Sequence, residues 1–172
     1  MPVDPQSAKT ELRAAMLERR NALSPETIAE HSAVIARRMT ELPIFAAAET
    51  VCSFLSFGSE VQTREIIQAA LDAGKRVALP RTVKEEHRLV LHRIDDLKLL
   101  LPGPYGILEP VVEAPVVDPA EVEFFIVPGA VFDPTGGRIG YGAGYYDALL
   151  MMSEGWRVAV AFACQVVPHV PI

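Results

Sequence analysis

At 172 residues the chain has the length of one domain, and with 50% hydrophobic and 22% charged residues it can bury a sizeable core. Its formal net charge of −6 at pH 7 argues against a nucleic-acid partner, which needs a basic excess. It leaves room for an anionic small molecule gripped by a few placed cations.

Asp4 to Leu23 reads as a helix capped by Asp4 or Ser7, with Leu12, Ala15 and Met16 along one side. Lys9 and Arg13 are four apart, share a face and can grip one anion together. Ser24-Pro25-Glu26 opens a second helix reaching about Leu42, with a capping hydroxyl, a proline at the first helical position and an acid in the first turn. Thr50 to Phe57 has the look of a strand buried on both faces. The loop Gly58 to Gln62 leads to a short helix capped by Thr63 and stopped by Gly74. Lys75 to Pro80 reads as a strand, and Arg88 to Ile94 alternates like an edge strand. Leu101 to Pro119 is rich in proline and glycine and reads as an irregular excursion. Val122 to Val127 is again a buried strand. Pro128 to Gly144 is a glycine-rich loop, Tyr145 to Glu154 a helix, and Arg157 to Cys164 the last strand.

Helices alternating with apolar strands predict a three-layer α/β/α architecture over 1–172, with a largely parallel, doubly wound sheet. Ligands of such sheets bind beyond the carboxyl ends of the strands. The loops after Phe57, Pro80 and Val127 leave there, which makes Glu60, Arg81 and the glycine-rich loop candidates for one cleft. Cys52 and Cys164 lie inside apolar runs without metal-ligand spacing and read as buried, reduced thiols in strands. His31, His87, His92 and His169 show no ligand spacing and read as scattered surface residues. Met1 to Pro5 shows no secretory pattern and the longest apolar run, Val158 to Cys164, cannot span a bilayer. A cytoplasmic monomer with no membrane partner is expected.

The chemistry concentrates between Val127 and Asp147. Alternate glycines at 140, 142 and 144 let backbone approach a ligand and turn N–H groups inward. A helix start follows directly, so the segment has the makings of a phosphate cradle. It is not the dinucleotide fingerprint of a Rossmann fold, because the third glycine of GxGxxG falls on Tyr145. Nor is it a Walker A loop, because no Gly-Lys-Ser/Thr follows. A flexible turn without a ligand is the bland alternative; the adjoining Arg138 and Tyr145-Tyr146-Asp147 count against it. Guanidinium suits phosphate recognition. Asp147 beside polyphosphate is repelled unless a cation intervenes, and magnesium, held by one or two carboxylates plus phosphate oxygens, resolves this. Stabilising the helix dipole is the other reading of Asp147.

Pro128-Gly129-x-x-Phe132-Asp133 followed by Gly136-x-Arg138-Ile139-Gly140-x-Gly142-x-Gly144-Tyr145-Tyr146-Asp147 resembles the signature of the 5-formyltetrahydrofolate cyclo-ligase family. Phe54-Leu55-Ser56, Glu60-Val61, Pro80-Arg81, Glu109-Pro110 and Gln165 also fit it. The resemblance implies ATP and magnesium as co-substrate and cofactor, and a reduced folate closed to 5,10-methenyltetrahydrofolate with release of ADP and phosphate. It implies ATP contacts from Lys9, Arg13, Arg138, Ile139, Gly140, Tyr141, Gly142, Ala143, Gly144, Tyr145 and Tyr146, and a metal ligand in Asp147. Folate contacts are implied for Leu55, Glu60, Tyr105, Tyr145 and Tyr146, and catalytic roles for Arg138 and Tyr145. Two features depart from the pattern. Tyr141 and Ala143 stand where some relatives carry basic residues, and the family continues past Val167–Ile172 with a further aspartate and strand, so a domain lacking that end is expected. A phosphotransfer enzyme with another acceptor, and a non-catalytic folate or nucleotide binder, remain the alternatives.

Overall fold

The computed structural model describes residues 5–171; the proposed Asp4 cap lies outside them. Helix α1 (Pro5–Asn21) carries Ser7 inside its first turns, where the hydroxyl donates to Glu11. Helix α2 (Pro25–Thr40) begins as its sequence dictates, with Ser24 Oγ accepting from the Thr27 amide at 3.1 Å. A short helix α3 (Pro43–Ala47), started by its proline, was not anticipated. Strand β1 (Thr50–Cys52) is only three residues long. The apolar run continues buried through Leu55 for another reason. Ser56 and Thr63 exchange amide-to-hydroxyl bonds of 3.1 and 3.2 Å, and the Thr63 hydroxyl donates to the Phe54 carbonyl at 2.7 Å. These bonds fasten the 56–63 loop at its neck, so Thr63 sits at the cap position of α4 (Arg64–Asp72) while its side chain serves the loop. Gly74, at φ +73°, ends that helix with bonds back to Leu71 and, through Lys75, to Ala70.

Strand β2 (Arg76–Val83) runs straight through Pro80 and pairs along its whole length with β3 (Arg88–Ile94). Its β1 neighbour ends opposite Ala78, so β1 has no use for the N–H that Pro80 lacks. The excursion contains small pieces of sheet: β4 (Leu101–Pro102) against β5 (Leu108–Glu109), and β6 (Val116–Val117), which pairs with β3 and takes the edge from it. Strand β7 (Phe124–Val127) is buried throughout. The glycine-rich stretch folds into a hairpin, β8 (Val131–Phe132) with β9 (Arg138–Ile139), before helix α5 (Tyr145–Leu150). That helix is shorter than expected. Strand β10 (Trp156–Ala159) is shorter too, and Cys164 lies half-buried in a 3-10 turn at Ala163–Gln165 rather than in a strand.

Among the described residues the main sheet has the order β10-β7-β1-β2-β3-β6. The four strands β10, β7, β1 and β2 are parallel, while β3 runs antiparallel to β2 and β6 antiparallel to β3. Alternate residues face opposite layers, as pleating requires. Val51, Val77, Leu79, Phe124 and Ile126 meet Ile28, Met39, Phe45, Ile66 and Ile67 from α2, α3 and α4. Cys52, Ala78, Leu91, Phe125 and Val127 meet Leu149 and Leu150 of α5. A third cluster seats Met16 and Leu12 of α1 on Ala130, Val131 and Ile139 of the hairpin. The chain leaves β1 toward β2 on one side and returns as β7 on the other, so the loops after β1 and β7 emerge side by side at the switch point. No helix among the described residues is long and apolar enough to cross a membrane.

Ile66 is fully buried on α4 against this sheet. Ile66→Ala should cost about 2–5 kcal/mol, read as a lower urea midpoint with an unchanged slope.

Candidate active site

Asp133 builds the hairpin that carries the glycine turn. Its Oδ1 accepts from the Thr135 amide (2.8 Å), the Thr135 hydroxyl (2.6 Å) and the Gly137 amide (2.9 Å), while Oδ2 accepts from Val170 N at 2.8 Å. A Cβ at Gly137 would lie 2.3 Å from that carboxylate, so only glycine closes the loop here. These hydrogen bonds, that from the Thr135 hydroxyl above all, hold the Asp133 carboxyl well below the usual carboxylate range. Beyond β9 the chain turns through Gly142 (φ +100°) and Gly144 (φ +74°), and Gly144 is the cap of α5.

Helix α1 holds this turn from above. Arg13 Nε donates to the Gly140 carbonyl at 2.8 Å, and its guanidinium lies against Gly142. Two helical turns on, Arg20 is 6% exposed, donates to Ser59 Oγ at 2.9 Å and to the Tyr141 hydroxyl at 2.7 Å. The Tyr141 hydroxyl donates in turn to Glu60 Oε1, and Glu60 Oε2 accepts from Phe57 N at 2.8 Å. Burial pushes the Glu60 carboxyl up, against the lowering effect of these hydrogen bonds and of Arg20. Burial and the nearby Glu60 carboxylate raise the Tyr141 phenol. On the far side Arg138 forms an ion pair with Asp147 and donates to the Pro128 carbonyl at 3.2 Å. The Arg138 side chain is 15% exposed and that of Asp147 71%, so the pair is mostly buried on the arginine side. His87, at the tip of the β2–β3 hairpin, stacks on Tyr145 at 4.5 Å between centroids and bonds the Ala143 carbonyl at 2.7 Å.

A cavity of about 960 Å³ opens between these elements. One part is cationic and glycine-lined, with Lys9, Arg13, Arg138 and the turn Ile139 to Gly144. Another is apolar and aromatic, with Leu89, Tyr105, Ile107, Tyr145 and Tyr146 beside the hydroxyl-bearing Thr82. The Tyr145 phenol is pushed up, first by its hydrogen bond with Tyr105 and then by burial; burial also raises that of Tyr146. Cations around exposed amides suit a polyanion, and an aromatic wall suits a flat heterocycle.

The sequence profile of the 5-formyltetrahydrofolate cyclo-ligase family matches residues 5–172. The chain belongs to that family. The 5-formyltetrahydrofolate cyclo-ligase of Escherichia coli K12 is 34% identical over 161 residues, covering 90% of this chain and 88% of its own length. The Saccharomyces cerevisiae protein of the same name is 33% identical over 178 residues, covering 88% and 83%. Among solved structures, the Aquifex aeolicus 5,10-methenyltetrahydrofolate synthetase superposes with a TM-score of 0.85 at 35% identity, over 95% of this chain and 82% of its own. The Mycoplasma pneumoniae synthetase, at 19% identity and a TM-score of 0.74 over 94% and 89%, shares the fold.

Against the family signature, the cavity brings together Lys9, Arg13, Tyr105 and the whole run from Arg138 to Asp147. Two other expected residues lie behind it. Leu55 is buried in the core, and Glu60 stands one hydrogen bond away, through Tyr141. Arg81 is not part of this cleft. It lies within β2, which continues past Pro80, and it faces a separate cavity of about 290 Å³ with Glu109. The histidines are not all at the surface either: His92 is 3% exposed and bonds the Ala114 carbonyl at 2.7 Å. The reading from sequence placed Asp133 in the family signature without a role, although Asp-Pro-Thr-Gly-Gly is a recognisable Asx turn. It missed Arg20 and His87, for which no local signal exists.

Because the Asp133 pKa is depressed on folding, its contribution to stability is complete above the ordinary carboxylate pKa near 4. It is lost as pH falls from there toward the lower native value. Urea unfolding between pH 7 and 3 should therefore show a shallower acid loss for Asp133→Asn than for the parent, from a lower stability at pH 7.

Proposed function

We propose that the protein is an ATP- and magnesium-dependent 5-formyltetrahydrofolate cyclo-ligase, producing 5,10-methenyltetrahydrofolate, ADP and phosphate. The observation that carries this reading is one cavity with a cationic, glycine-lined part and an aromatic part. Family membership supplies the reaction class.

The chemistry explains why both parts are needed. A formyl amide is a poor electrophile and its oxygen a poor leaving group. Transfer of the γ-phosphoryl group to that oxygen, with ADP departing, makes phosphate the leaving group. N10 of the folate then attacks the activated carbon, the ring closes, and phosphate leaves, taking up the N10 proton. No side-chain nucleophile is required. The demands are positioning and neutralisation of charge. Lys9, Arg13 and Arg138 supply cations to the phosphates, and the amides of Gly140, Gly142 and Gly144 supply donors without side chains in the way. Helix α5, at six residues, adds little field of its own, so the cations matter more. Tyr105, Tyr145 and Tyr146 form the wall against which the pterin lies, and closing the cavity around the reactants excludes water. Asp147, a largely exposed carboxylate at the turn, fits a magnesium site of the kind completed by phosphate oxygens. Magnesium bound there supplies neutralisation of phosphate charge. Arg138 and Asp147 already neutralise one another, and nucleotide phosphates give the guanidinium a second anionic partner.

The free cysteines, Cys52 buried and Cys164 half-buried, suit a reducing compartment, and we place the enzyme in the cytoplasm as a monomer.

A spectroscopic assay for methenyltetrahydrofolate, run with and without magnesium, tests the reading. Product should appear only with ATP and the metal, coupled to ADP release. Binding of both ligands without ADP release would make the chain a binding protein instead. Arg138→Ala should lower kcat by about 10²–10³-fold, the range for removing one donor from a developing charge; unchanged kinetics would remove it from the mechanism.

A further inference from the structure

We infer that Tyr141 is a positioning residue that couples nucleotide on the glycine turn to the Glu60 loop, so that binding of one reactant tightens binding of the other. This rests on the reading above, in which the turn takes nucleotide phosphates, and on the folate contact that the family resemblance implies for Glu60, and it assigns the link between them.

Tyr141 stands between Gly140 and Gly142, and so moves with the turn. Its hydroxyl is saturated in one direction: it accepts from Arg20 and donates to Glu60. Arg20 is buried, and a buried guanidinium left without its partners is strongly destabilising. Its side-chain partners are Tyr141 and Ser59, and Ser59 precedes Glu60 in the same loop. Glu60 spends its other oxygen on the Phe57 amide within that loop. Three segments far apart in sequence are thus joined at one phenol: α1, the loop 58–62 and the glycine turn. The loop is closed at its neck by the Ser56–Thr63 exchange, so it responds as a unit.

Arg13, on the same helix, bonds the carbonyl of Gly140, the residue before Tyr141. The helix therefore grips adjacent residues of the turn with two arginines. Phosphates that settle the turn against Arg13 fix the position of the Tyr141 hydroxyl, and through it the Glu60 carboxylate. Ordering met by the first ligand is not required again of the second, which is positive cooperativity without a large conformational change. Thermodynamic linkage makes the effect equal in both directions.

The test is calorimetric titration of 5-formyltetrahydrofolate into the full chain, with and without magnesium and the non-hydrolysable analogue AMP-PNP, for the parent and Tyr141→Phe. The phenylalanine keeps the ring and the backbone, and near-ultraviolet circular dichroism verifies the fold. In the parent, the nucleotide should tighten the folate Kd by about fivefold or more, and Tyr141→Phe should reduce the factor to about twofold or less. The variant's Kd for AMP-PNP alone is measured alongside, and the coupling factor is read with the nucleotide saturating for each form, so that a change in nucleotide affinity is not counted as lost coupling. A parent that binds both ligands without coupling, or coupling that survives in Tyr141→Phe, overturns the inference and leaves the functional reading intact. A parent that binds neither ligand overturns the reading itself and the inference with it.

Discussion

Arg13 bonds the Gly140 carbonyl and Arg20 bonds the Tyr141 hydroxyl, from one side of α1, and the site depends on that pair of contacts. A run of alternate glycines has too much conformational freedom to hold a shape by itself. Here the turn is bounded on one end by a hairpin locked around Asp133 and on the other by the start of α5, and α1 fixes its middle. The helix is held in turn by its apolar residues, Leu12 and Met16, against Ala130, Val131 and Ile139. Burial of those side chains thus decides where two guanidinium groups stand.

This arrangement lets an acidic protein take a polyanion. The overall charge of −6 is a property of the surface, and it acts weakly across a screened distance. Lys9, Arg13 and Arg138 converge on one cavity with low-dielectric walls, where nearby charges count for more. The carboxylates at its border are each occupied. Asp133 accepts four hydrogen bonds, Asp147 pairs with Arg138, and Glu60 is bound to Tyr141 and Phe57. Negative charge beside the cradle is therefore neutralised or directed away from where phosphate would lie.

Much of the layout was legible in the sequence because its causes are local. Ser24-Pro25 starts α2, Gly74 ends α4, and the apolar runs at 50–55 and 122–127 mark the buried middle of the sheet. The i,i+4 spacing of Lys9 and Arg13 and the glycine pattern similarly indicated the cationic, glycine-lined part of the cavity. The rest depends on partners remote in sequence. Pro80 suggested a strand end, but the brevity of β1 lets β2 continue through it. The apolar run beginning at Thr50 looked like eight residues of strand, yet the chain leaves the strand after Cys52 and stays buried only as far as Leu55, beside the closed loop rather than in a ladder. The link from Arg20 to Tyr141 spans 121 positions, so neither residue carries a mark of it in its own neighbourhood.

The claim beneath the whole account is that nucleotide phosphates sit on the amides of this turn. Amide chemical shifts of the isotopically labelled chain, recorded while magnesium and AMP-PNP are added, address it directly. The account predicts the largest changes at Gly140, Gly142, Gly144 and the start of α5, with smaller ones along α1 near Arg13. Saturable shifts confined to other parts of the molecule, with those glycines unmoved, would contradict it.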